Sequence, residues 1–151
     1  MKKLVTSEKE TEKLAKKFSK SIRLPLIVGF KGDLGAGKTA FIRGLIRNYN
    51  KNEIVKSPTF GLIEEYNYKD IEILHADLYR IKENEKNYFD FNSYFNDKSL
   101  FLIEWIDNDS KILQNSDILI NIEIKDKEEE RIFKFKSNTE AGKKLIERMK
   151  K

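Results

Sequence analysis

The 151-residue chain has room for one domain spanning 1–151; it is 39 % apolar and 11 % aromatic, and its lack of cysteine excludes a disulfide framework and a thiolate zinc site. No run of about 18 uncharged apolar residues occurs, and the opening lysines meet acid before any apolar stretch, so neither a membrane span nor a secretory leader is expected and a cytoplasmic location fits. The net charge of +5 is uneven: residues 1–20 hold seven lysines against three glutamates and residues 142–151 five basic groups against one glutamate, so residues 21–141 net −3; with 24 lysines to 6 arginines, direct reading of a nucleic-acid sequence is disfavoured.

In chain order, Ser7-Glu8-Lys9-Glu10 has the form of a capping box, and Thr11, Leu14, Ala15 and Phe18 follow at helical spacing, which predicts a helix over 8–20. Leu24 to Phe30 is a short apolar run of the kind found in strands buried on both faces. Phe41, Leu45 and Ile46 recur at helical spacing soon after it. Residues 51–58 read as a polar connection. Phe60–Tyr66 and Ile71–Ala76 read as strands around the turn-prone 67–70, and residues 82–99 as a short helix or two. Phe101 to Trp105 is another buried strand, Ile118–Ile124 and Arg131–Lys136 a hairpin, and Thr139–Lys151 a closing helix. The class expected is α/β: a mostly parallel central sheet flanked by helices, with a C-terminal antiparallel hairpin.

Between the first buried strand and the helix after it lies Gly32-Asp33-Leu34-Gly35-Ala36-Gly37-Lys38-Thr39, a full match to the phosphate-loop pattern. Glycines admit backbone angles closed to other residues, so that successive N–H groups point inward at a polyphosphate at a helix N-terminus. Lys38 supplies a point charge for the β- and γ-phosphates, and the Thr39 hydroxyl is a hard oxygen suited to Mg²⁺. With this composition the pattern arises by chance in roughly 0.5 % of chains, and the strand before and helix after it are the context it requires.

Such a loop needs an acid at a neighbouring strand end. Glu104 follows the apolar residues 100–103 and Asp77 closes the strand before it, both at the edge where ligands bind in open α/β sheets. Asp77 also reads as a helix cap. His75, the only histidine, cannot make a zinc site and reads as a strand-end residue; Thr59 reads as a turn hydroxyl, and Phe41, Phe60 and Trp105 as core.

The loop, Ser57-Pro58-Thr59-Phe60, His75-Ala76-Asp77-Leu78-Tyr79-Arg80 and Leu102-Ile103-Glu104-Trp105, in that order, resemble the TsaE family of bacterial tRNA N6-threonylcarbamoyladenosine biosynthesis over nearly the whole chain. The resemblance implies a P-loop ATPase with ATP and Mg²⁺ as cofactors, working with two other proteins that modify position 37 of tRNAs reading codons that begin with A, so that tRNA is met indirectly. It implies that Leu34, Gly35, Ala36, Gly37, Lys38 and Thr39 hold the phosphates, that Thr39 and Glu104 flank the metal, and that Asp77 serves hydrolysis. It further implies a nucleotide-sensing segment at Ser57-Pro58-Thr59 and nucleotide contacts from Glu8, Glu130 and Arg131. Two departures are visible: Ala40 stands where a second hydroxyl is usual, and residues 83–96 lack the usual glutamate-leucine pattern.

The favoured expectation is therefore an ATP-driven switch, weak as an ATPase alone and stimulated by partners, because no arginine finger is identifiable in the chain. The runner-up is a small-molecule kinase, disfavoured because residues 82–99 contain no arginine to close on a transferring phosphate.

Overall fold

The computed structural model describes residues 1–58, 63–81 and 90–151. The strands are β1 (Lys2–Val5), β2 (Leu26–Lys31), β3 (Ile63–Tyr68), β4 (Ile71–Asp77), β5 (Ser99–Glu104), β6 (Ile118–Ile124) and β7 (Arg131–Ser137); the helices are α1 (Glu8–Ser21), α2 (Lys38–Ile46), α3 (Ser110–Asn115) and α4 (Glu140–Lys150). Among the described residues the strands form one sheet in the order β1-β7-β6-β2-β5-β4-β3. The middle of it, β6-β2-β5-β4, is parallel, while β3 and the β7-β1 pair are antiparallel additions at either side.

Local signals account for most boundaries. The Ser7 side chain caps α1 by accepting from the Glu10 N–H at 3.2 Å, but Glu10 reaches one residue further back than a capping box requires, accepting from the Thr6 N–H at 2.7 Å and its hydroxyl at 3.0 Å. Asp109 caps α3, accepting from the Lys111 and Ile112 N–H groups at 3.0 and 3.2 Å. Helix α4 starts on Thr139, whose hydroxyl accepts from the Gly142 N–H.

The larger core lies between the sheet and helices α1, α2 and α4. Its hub is Phe41 on α2, with ring centroids 5.6 Å from Phe18 on α1, 5.8 Å from Phe30 on β2 and 5.4 Å from Phe133 on β7. A smaller cluster of Leu74, Ala76, Leu78, Phe101, Ile103 and Ile106 covers the other face. The two clusters meet through β2, whose Gly29 faces Ile106 so closely that a Cβ there would lie 2.5 Å from Ile106 Cδ1. This contact seats the turn that follows β5 against the centre of the sheet.

One expectation changes and two unexpected elements appear. The strand expected to run through Trp105 ends at Glu104, because Trp105 adopts the left-handed conformation with φ 55° and ψ 39°. Strand β1 carries no apolar alternation; lysines on an edge strand discourage further pairing, so the same residues that hide the strand in sequence suit its place. Helix α3 also escapes a pattern search, being only six residues long. Of the segment 82–99, residues 82–89 lie outside those described; beyond them come a 3-10 turn at Phe91–Tyr94 and the start of β5. Phe60 is likewise outside the described residues. No described helix is long and apolar enough to cross a membrane.

Candidate functional site

Parallel pairing brings the sequence-distant pieces to one edge. Phe30 on β2 is in register with Glu104 on β5, and Glu104 with Asp77 on β4, so the glycine-rich loop leaving β2 and the two carboxylates emerge side by side at the carboxyl ends of the strands. The loop turns into α2 at Gly37, the N-cap, whose φ of 103° suits glycine; no side chain caps this helix, which keeps its first-turn N–H groups available to an anion.

Lys38 is 5 % exposed and bends back over the loop, its ammonium donating to the Gly32 carbonyl and, at 3.1 Å, to that of Asp33. The same nitrogen lies 4.2 Å from the ring centroid of Trp105, which the left-handed turn carries over the loop, and the Tyr79 ring lies 4.8 Å from that of Trp105. Burial pushes the Lys38 pKa down; Glu104, Asp77, Asp33 and Asp107 oppose it.

Glu104 is 2 % exposed. The Thr39 hydroxyl donates to its two oxygens at 3.0 and 3.2 Å, and the imidazole of fully buried His75 approaches Oε2 at 2.6 Å. Asp77 accepts from the Tyr79 N–H at 2.9 Å and from the Ser57 hydroxyl at 3.4 Å. Burial, outweighing the Tyr79 hydrogen bond and reinforced by Glu104, holds the Asp77 carboxyl above the usual range.

These groups line a cavity of about 240 Å³ walled by the loop from Leu34 to Thr39 together with Ser57, Asp77, Glu104 and Trp105. A second cavity of about 280 Å³ lies across Ala36, Gly37 and Ala40, walled by Ser7, Glu8, Thr11, Glu128, Glu129 and Arg131. Arg131, at the start of β7, ties the hairpin to the loop: Nε donates to the Ala36 carbonyl at 3.2 Å and Nη2 to that of Gly35 at 3.3 Å, while Nη1 donates to the Glu128 and Glu130 carbonyls. Glu8 lies 3.9 Å from Arg43, and the Glu130 carboxylate 3.4 Å from Lys127. Thr59 lies outside the described residues.

The structure thus gathers Leu34 to Thr39, Asp77 and Glu104 on one cavity and puts Glu8 and Arg131 on the next, with Glu130 held to the hairpin. Sequence reasoning did not find the roles of His75 and Trp105 in this constellation. The position of His75 two residues before Asp77, on the same face of a strand, was the available signal. Among the described residues no group of three His, Asp or Glu could cage a metal unaided. The hydroxyl of Thr39 and the carboxylate of Glu104, hard oxygens in contact, suit Mg²⁺, which completes its shell with water and nucleotide phosphate rather than with a protein cage.

The family model described as "Threonylcarbamoyl adenosine biosynthesis protein TsaE" matches residues 5–133. A Haemophilus influenzae protein named tRNA threonylcarbamoyladenosine biosynthesis protein TsaE is 40 % identical over 122 residues, covering 80 % of this chain and 76 % of that one. One of the same name from Aquifex aeolicus is 31 % identical over 131 residues, covering 85 % and 91 %. Among solved structures, Bacillus subtilis YdiB superposes with a TM-score of 0.81 at 25 % identity, covering 99 % of this chain and 93 % of that one.

Proposed function

Because the chain belongs to the TsaE family, we propose that it is the ATP-hydrolysing, Mg²⁺-dependent subunit of the machinery that makes threonylcarbamoyladenosine at position 37 of tRNAs reading codons that begin with A. It acts in the cytoplasm as a nucleotide-driven switch for two partner proteins and meets tRNA only through them. The observation that carries this reading is the convergence of Lys38, Thr39, Glu104 and Asp77 on one cavity at the loop.

The chain's own groups divide the work. Loop N–H groups and the α2 N-terminus cradle the phosphates, and Lys38 exchanges its carbonyl partners for phosphate oxygens. Thr39 and Glu104 hold Mg²⁺, which when bound neutralises charge on the β- and γ-phosphates. Asp77 orients the attacking water: the water oxygen bonds to the γ-phosphorus, the bond to the β–γ bridging oxygen breaks, the water's proton passes to a phosphate oxygen and on to solvent, and ADP and inorganic phosphate leave. Ser57 reads the outcome, since its hydroxyl is bonded to the same Asp77 carboxylate. Glu8 and Arg131, which line the adjoining cavity, contact the rest of the nucleotide.

ATPase activity measured on the chain alone, then with the two partner proteins, with and without tRNA, tests the proposal. Slow turnover alone and faster turnover with partners is expected; turnover near 10 s⁻¹ by the isolated chain, a typical enzyme rate, would remove the motive for a switch. Lys38→Ala should weaken ATP binding by about 10–150-fold, the loss of a charge-assisted contact, read by calorimetry.

A further inference from the structure

His75 is used in none of these steps, yet it is among the most enclosed polar residues of the sheet. Its side chain has no exposed surface, Nε2 lies 2.6 Å from Glu104 Oε2, and Nδ1 has no hydrogen-bond partner among the described residues. With Nε2 engaged by Glu104, Nδ1 is left as a buried polar atom without a partner among the described residues. Packing alone is a poor reason for the residue. A leucine would fill the space without stranding a nitrogen, and a stranded buried nitrogen calls for an explanation.

Strand geometry supplies one. His75 and Asp77 point to the same face of β4, and Asp77 is in register with Glu104 on β5, so the imidazole reaches Glu104 diagonally from the interior side of the sheet. Among the described residues the Glu104 carboxylate therefore has two donors: Thr39 shared between both oxygens, and His75 on Oε2 alone. Thr39 sits on the loop and, in the proposed reading, serves the metal and nucleotide; His75 has no other hydrogen bond among the described residues. We infer that His75 is a positioning residue that anchors Oε2 of Glu104 and thereby fixes the carboxylate for the metal-nucleotide, an assignment that rests on the nucleotide reading above. Groups that orient a metal-binding carboxylate from behind typically change metal affinity or activity by about 10–100-fold when removed.

The test compares His75→Leu, His75→Gln and His75→Asn in the full chain. Nucleotide affinity is measured in EDTA and across a Mg²⁺ titration, with kcat and KM taken in the presence of partners. His75→Leu should bind metal-free ATP as the parent does, require about 10–100-fold more Mg²⁺ for its effect on affinity, and lose kcat more than KM. His75→Gln, whose amide N–H can stand in for Nε2–H, should recover most of that loss, whereas the shorter His75→Asn should not. Where His75→Leu fails to fold, the contrast between Gln and Asn decides alone. A parental Mg²⁺ dependence in His75→Leu, or equal losses in Gln and Asn, would overturn the assignment. Absence of any Mg²⁺-dependent step in the parent would instead overturn the nucleotide reading, and this assignment with it.

Discussion

Asp77 meets opposing demands. In the proposed hydrolysis it would have to be ionised to orient water, yet burial raises its pKa in the folded chain. The folded state therefore binds this proton more tightly than the unfolded state, so ionised Asp77 costs stability above its folded pKa and costs none below its unfolded one. Asp77→Asn is accordingly expected to raise the melting temperature at neutral pH, with the gain vanishing as the pH drops below the ordinary aspartate range. The same substitution should lower hydrolysis by about 10²-fold, as expected for loss of the group that positions the water. Thermal scans at several pH values, run metal-free beside ATPase assays, check both halves. At this scale the sequence is most readable where chemistry dictates residue type at fixed spacing: Gly37, Lys38 and Thr39 follow from what a polyphosphate needs. Glu104 and Asp77 are readable as acids ending apolar runs. The His75–Glu104 and Lys38–Trp105 contacts are not, because the first depends on β4 lying beside β5 and the second on the left-handed turn at Trp105, and neither leaves a periodic mark.

Among the elements, the β6–β7 hairpin does more than finish the sheet. Arg131 holds the carbonyls of Gly35 and Ala36; the Ala36 N–H donates to the Asp33 carbonyl at 3.0 Å, and since the C=O and N–H across a peptide plane point oppositely, fixing the Ala36 oxygen turns the Gly37 N–H away from the arginine, toward where the proposed phosphates would lie. Arg131→Met should weaken ATP binding by about tenfold, the worth of one charge-assisted contact, with little change in melting temperature. Competition titration with a fluorescent nucleotide measures it; undiminished affinity would mean the loop keeps its shape unaided. Helix α1 and the hairpin were legible through the Ser7 cap and the period-two alternation of Ile118–Ile124. Strand β1 and helix α3 were not, one because edge lysines mask it and the other because six residues carry too little pattern.

For the molecule as a whole, the core and the site share a foundation. Phe41 lies two residues beyond Thr39 on α2 and joins α1, β2 and β7 through its ring contacts. Phe41→Ala is expected to cost about 3–5 kcal/mol in denaturant unfolding, the usual penalty for emptying an aromatic site. The α/β class was readable from the order of strands and helices, whereas the strand order was not, since apolar runs declare burial but not their neighbours. That order has a practical outcome at the sheet's border. Val5 on β1 is in register with Arg131, so the opening residues steady the very position from which the arginine reaches the loop. A sample clipped by a stray protease after Val5 would keep most of its hydrophobic interior and still look folded, yet hold nucleotide poorly; intact-mass measurement beside each titration would tell such damaged material from an inert preparation.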